Sequence, residues 1–145
     1  MILLDFKVFP KKGRILSVDW GAQRTGIAVS DYSREMFFVR DAIVGKNNID
    51  EIVKILNSES FSGIVIGLPL CMDGTESETT KKVREFAEKL TQKTELPIIL
   101  VDETLSSMSA QESMGRVRVS DIKHKLDSES ARVILENAVS ILNRL

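Results

Sequence analysis

Three acidic residues sit where the surrounding sequence gives a carboxylate little reason to be. Asp19 closes the apolar run RILSVDW, Glu103 follows Asp102 directly after IILV, and Asp127 begins the pattern DSESARVIL. A charge at the end of an otherwise buried strand is costly unless something partners it. If the three carboxylates meet, they form an all-oxygen ligand set suited to Mg²⁺ or Mn²⁺, whereas Zn²⁺ usually takes nitrogen or sulfur. Each acid also has a plainer reading. Asp19 is a turn acid before Gly21, Asp102 and Glu103 favour the positive end of a following helix, and Asp127 is a helix N-cap.

Other chemistries find less support. Cys71 is the only cysteine and His124 the only histidine, so an internal disulfide, a cysteine-based zinc site and a histidine-ligated metal site are all unsupported. His124 reads as an exposed loop residue, with a role in steadying phosphate as the alternative. It lies in a segment, Gly115 to Leu126, that holds Arg116, Arg118, Lys123 and Lys125 against the single acid Asp121. We expect a loop there, either solvated or gripping a sugar-phosphate backbone just before Asp127. Ser106 and Ser107 either donate hydrogen bonds to phosphate or cap a helix, and Gly67-Leu68-Pro69 with Asp73-Gly74 shape turns.

The elements that must carry these residues follow from hydrophobic periodicity. Residues 14–20 and 24–30 read as a hairpin joined through Gly21, and Met36 to Val44 reads as a third strand. Ile49, Ile52, Val53 and Leu56 then form the stripe of a helix over 48–57, with Asn48 and Glu51 at its start. Residues 63–68, GIVIGL, form a continuous apolar run of the kind buried on both faces, stopped by Pro69. Val83, Phe86, Ala87 and Leu90 mark a second helix behind a Thr75–Glu78 capping box, and a further strand, IILVD, follows Pro97. A short helix over 105–114 ending at Gly115 and a last helix from about Asp127 to Leu142 complete the chain. The order β-β-β-α-β-α-β-α-α predicts an α/β fold, a mixed five-stranded sheet flanked by helices. Parallel strands present their carboxyl ends to one crevice, so Glu103 approaches Asp19 if their strands are neighbours.

Composition sets the bounds. The 145 residues carry 20 Lys+Arg against 21 Asp+Glu, a net charge of −1, which argues against a protein that coats nucleic acid through bulk positive charge. With 43% hydrophobic residues the chain buries one sizeable core, and three prolines leave no Pro-rich linker. We therefore expect one domain over 14–145, with residues 1–13 an extension packed on it. The apolar patch at the N-terminus is broken by Asp5 and Lys7 and is too short to span a membrane, so a cytoplasmic protein without a membrane partner is expected.

The blocks RILSVDWGAQRTGIAVSD, IVIGLPLCMDGTES, LVDETLSS and the D-x-x-S-A-x-x-I-L at 127–135 resemble, in order and spacing, the signature blocks of the YqgF (RuvX) family. The family comprises Holliday-junction-resolvase-like proteins, now mostly described as pre-16S rRNA nucleases. The resemblance runs from Arg14 to Leu142. It implies a ribonuclease H-like fold and a hydrolase that cuts phosphodiester bonds. The family's three acids carry over to Asp19, Glu103 and Asp127, and the resemblance implies a two-metal site of Mg²⁺ or Mn²⁺. Implied partners are structured RNA (pre-rRNA) or branched DNA, and also pre-ribosomal particles. The chain departs from the family pattern at Trp20, where Phe or Tyr is usual, at Ala22-Gln23 in place of a Thr-Lys pair, and at Ser130 in place of an alanine.

Two other function classes stand beside the nuclease. Asp-x-Gly followed by a Gly-containing strand also resembles the phosphate loop of the actin, Hsp70 and sugar-kinase superfamily, but such proteins close two halves over a nucleotide and 145 residues have room for one. A non-catalytic RNA-binding assembly factor is the third class. Within the nuclease reading, a junction-cutting enzyme calls for a homodimer that pairs two sites, while trimming one RNA strand needs a single site.

Overall fold

The run ILSVD alternates residues for two different interiors, and the sheet is built around it. In the computed structural model, which describes residues 1–71, 73–102 and 119–145 (the last group as backbone only up to 127), six strands form one mixed sheet. They are β1 (Ile2–Leu3), β2 (Ile15–Asp19), β3 (Arg24–Ser30), β4 (Phe37–Val44), β5 (Gly63–Leu68) and β6 (Ile98–Asp102), in the spatial order β1-β6-β5-β2-β3-β4. Strand β3 pairs antiparallel with both β2 and β4, while β5 runs parallel to β2 and β6, and β1 parallel to β6.

The helices are α1 (Asn48–Ser58), α2 (Glu78–Thr91) and α3 (Val119–Asn143). On one face, Leu16, Val18, Ile64, Ile66 and Ile98 pack with Ile52 of α1 and with Val83, Phe86 and Leu90 of α2. On the other, Ile15, Ala28, Val65, Ile99 and Val101 pack with Ala131, Ile134, Leu135 and Ala138 of α3. Strands covered on both sides need apolar residues at every position, which is why GIVIGL shows no alternation. No helix among the described residues is long and apolar enough to cross a membrane.

Several expectations are corrected. The mixed sheet has six strands, because residues 1–13 do more than pack on the domain. Ile2 and Leu3 pair in register with Ile98 and Ile99, and Phe9 is buried with its ring on Gly63, where a Cβ would lie 2.5 Å from the ring. Helix α2 is capped by Ser77, which exchanges hydrogen bonds with Thr80, because Thr75 is already bound to the carboxylate of Asp73 (Oγ1 to Oδ1 2.6 Å). Helix α1 starts from Asn47 without a side-chain cap, and Asn48 instead reaches Thr25 Oγ1 at 3.3 Å. Helix α3 starts at Val119 rather than near Asp127, so the basic segment is helical in its second half. No glycine or proline interrupts 119–143, Lys and Arg are good helix formers, and the apolar spacing of Val119, Ile122 and Leu126 continues the stripe. The short helix expected over 105–114 lies outside the described residues.

An ionic clamp closes the end of the sheet remote from Asp19. Glu59, just after α1, receives both guanidinium nitrogens of Arg40 (3.0 and 2.8 Å) and pairs with Arg14 at 3.0 Å. Arg14 also donates to the Ser30 carbonyl and lies over the Phe61 ring. The hydrogen bonds from Arg40, reinforced by Arg14, hold the Glu59 carboxyl down to about 2 from its ordinary 4.5. An acid whose pKa falls on folding contributes stability that is complete above about pH 4.5 and is lost as the pH drops toward 2. Glu59→Gln is expected to cost about 1–2 kcal/mol at pH 7, the value discounted for partial exposure. In urea melts, the gap between variant and parent should shrink steadily from pH 4.5 downward; a gap independent of pH would contradict the clamp.

Candidate active site

Strand alternation places the acids before any side-chain chemistry is considered. Ile15 and Ser17 of β2 face α3, while Leu16 and Val18 face α1 and α2, so Asp19, the last residue of β2, falls on the α3 face at the carboxyl edge of the parallel strands. It is half-buried. Its partner across the antiparallel ladder is Gly26. On the other side Val18 pairs with Ile66, and the next residue of β5 is Gly67. The two positions flanking the acid on its own face therefore carry no side chains. The β3–β4 register also shifts at Gly26, a bulge beside the acid.

A buried hydrogen bond sets the height of α3 above this edge. Ser17 Oγ donates to the Ala131 carbonyl at 2.7 Å, joining residues 114 apart in sequence. Ser128 Oγ fixes the same helix to the Arg40 carbonyl of β4 at 2.6 Å. Farther along, Leu142 and Asn143 line a cavity with Arg34, whose Nε donates to the Gly13 carbonyl just before β2, so α3 runs antiparallel to β2. From the Ser17–Ala131 contact, Asp19 lies two residues toward the carboxyl edge, about 6.6 Å along a strand. Asp127 lies one turn back along α3 in the same direction, about 6 Å. The backbone of α3 thus carries position 127 toward the edge that holds Asp19. Eight residues inside the helix, Asp127 is not its N-cap, which removes the plain reading of that residue.

The remaining expected site residues divide. Asp102 ends β6 exposed, and alternation puts it with Ile98 and Leu100, on the face opposite Asp19. Strands β2 and β6 are not neighbours: β5 lies between them, so the strand ends sit about 9–10 Å apart. Glu103, Ser106, Arg116 and Arg118 lie outside the described residues. Lys123, His124 and Lys125 fall within helical backbone, not in the loop expected for them. Cys71 is exposed in the turn that closes on Gly74, as a loop residue should be.

The available donor chemistry suits a hard cation. The acid on the α3 face brings oxygen only, and its two flanking positions on the sheet are glycines, which add no side chain of their own beside it. Among the described residues no group of three or more His, Cys, Asp or Glu is gathered. Gly67, read from the sequence as shaping a turn with Leu68 and Pro69, instead lies inside β5, and a glycine inside an otherwise β-forming run, as in RTGIAVS and GIVIGL, signals close approach of a ligand or another backbone.

Comparison with known proteins matches this architecture. The RuvX family model, described as Holliday junction resolvase, matches residues 13–140. A protein of Maridesulfovibrio salexigens described as "Putative pre-16S rRNA nuclease" is 40% identical over 128 residues, covering 85% of this chain and 95% of its own. One from Pelagibacter ubique with the same description is 32% identical over 146 residues, covering 96% of each. Among solved structures, Thermus thermophilus RuvC in complex with a Holliday junction superposes with a TM-score of 0.57 at 8% identity, over 90% of this chain and 96% of RuvC. That likeness assigns the ribonuclease H-like fold.

The Ser17 hydroxyl is buried and ties β2 to the α3 backbone through a side-chain hydrogen bond. Ser17→Ala is expected to lower stability by about 1 kcal/mol and Ser17→Val by more, since added methyls meet a close-packed helix. Chemical denaturation of the two variants checks this; equal stability of both with the parent would remove Ser17 as the spacer.

Proposed function

Since the chain belongs to the RuvX family, we propose that it is a metal-dependent endonuclease that processes the 5′ end of the small-subunit rRNA precursor. The observation that carries this reading is Asp19 at the carboxyl edge of the central strand, flanked by glycines, with α3 pinned above by Ser17. The curated relatives' description as pre-16S rRNA nucleases supports the substrate.

Asp19, Glu103 and Asp127 are the acids assigned to hold Mg²⁺ or Mn²⁺. Such cations supply activation of water and stabilisation of the leaving oxygen, so no side-chain nucleophile is required. The protein's own part is to bind and orient. Gly26 and Gly67 put no side chain of their own beside Asp19, where a phosphate would approach, and Arg116, Arg118, Lys123, Lys125 and Ser106 hold the sugar-phosphate backbone. Branched DNA is the second substrate, favoured by the family's description as Holliday junction resolvase. In this reading the protein works in the cytoplasm on pre-ribosomal particles, and a homodimer belongs to the junction-cutting alternative.

Cleavage of a labelled structured RNA spanning a precursor 5′ end, beside a four-way DNA junction, tests the reading. The wild type should cut the RNA with Mg²⁺ or Mn²⁺ and stop on chelation. Asp19→Asn and Glu103→Gln should each lose about 100-fold or more, since even outer-shell changes at metal sites cost 10–100-fold. Faster cutting of the junction would move the substrate to DNA. Binding of RNA without cleavage of either would leave a non-catalytic assembly factor.

A further inference from the structure

A groove on the face opposite Asp19 has the composition of a nucleic-acid track. It encloses about 360 Å³ beside the turn Trp20-Gly21-Ala22, and Lys46, Lys82 and Lys89 converge on it from the β4–α1 loop and from α2. Lys82 and Lys89 are seven residues apart on α2 and share one helical face. Among the described residues, no ion pair engages any of these three lysines. One acid, Glu85, shares the groove. Trp20 forms part of the wall; it packs by one side against the core cluster of Leu16 and Val18 and stays half-exposed on the other. Helix α1 is held against the sheet by the Asn48–Thr25 hydrogen bond, which fixes one bank.

The groove also begins where the candidate site ends. Asp19 and Trp20 are consecutive residues facing opposite sides of the sheet edge. The turn between them and β3 is very tight: a Cβ on Gly21 would lie 2.1 Å from the Arg24 carbonyl oxygen. Glycine at this position puts no side chain on the turn between Asp19 and the lysine groove. A positive groove with an aromatic on its wall is the combination that binds single strands, whose bases are free to stack; a duplex keeps its bases occupied.

We propose that a single-stranded stretch of the nucleic acid, leaving the scissile phosphate at Asp19, crosses the Gly21 turn and lies in this groove, its phosphates on Lys46, Lys82 and Lys89 and one base stacked on Trp20. The proposal rests on the nuclease reading for its starting point and adds the route and strandedness of the substrate.

Binding of a fluorescent single-stranded RNA dodecamer, measured by anisotropy across a salt series in the Asp19→Asn background, tests it. Combined Lys46→Ala, Lys82→Ala and Lys89→Ala should weaken binding on the order of 100-fold at 0.1 M salt and reduce the slope of log affinity against log salt by about 2. The matched set Lys12→Ala, Lys54→Ala and Lys93→Ala, on other surfaces, should leave the slope unchanged. Trp20→Leu keeps an apolar group on the core without a flat face and should weaken binding roughly 5- to 100-fold, while Trp20→Tyr should restore most of it. Thermal melts confirm that the variants fold. An unchanged slope in the triple variant, equal losses in the matched set, or wild-type binding by Trp20→Leu would overturn the groove. Cleavage by the wild-type protein is read separately: intact cleavage with an inert groove leaves the nuclease reading standing, and groove-dependent binding without cleavage removes the nuclease reading while keeping the groove.

Discussion

Burial of β2 on both faces is the constraint from which the rest of the molecule follows. A strand sandwiched between two helical layers tolerates a charge only where the sandwich ends, and Asp19 occupies that last position. The one polar residue inside, Ser17, has to be satisfied, and the nearest acceptor is a carbonyl of α3. Satisfying it sets how far the helix slides along the strand. The need to pair a buried hydroxyl thus determines which part of α3 overhangs the carboxyl edge, and a packing requirement becomes a requirement on the site.

Strands and central helices were legible because their signals are local. GIVIGL is bounded by a glycine and a proline, and β5 coincides with it; the stripes of α1 and α2 fix both helices to within a residue or two. The edge strand β1 was not legible, since two residues have no period and their pairing with β6 is a purely tertiary event. The start of α3 lies upstream of the expected cap because basic charge is a weak loop signal and Asp127 a weak cap signal beside the absence of any helix breaker over 119–143. The capping residue of α2 was missed because a turn acid, Asp73, competes for Thr75.

At the candidate site, Asp19 stands out in the sequence because an acid ending an apolar strand conflicts with its surroundings, and such conflicts concentrate at functional positions. Asp127 gains the same character once it is known to lie inside a helix, where Asp is a poor former and no cap explains it. Whether β6 adjoins β2 was open in the sequence, since strand order across a parallel sheet is not encoded by any single segment, and the fold places β5 between them. The lysine groove was invisible for a related reason: Lys46, Lys82 and Lys89 are ordinary surface residues until the fold gathers them. Net charge, near zero, averages over that gathering.

The Ser17–Ala131 bond joins two residues 114 positions apart, and β1 meets β6 across almost as long an interval. Contacts of such range delay folding until both partners exist and the intervening chain has closed. On a translating ribosome, β2 emerges well before α3 and stays uncovered on one face until that helix has been made. A nascent chain that stops short of α3 therefore has no overhang above Asp19, and the order of synthesis itself delays assembly of the candidate site until that helix exists.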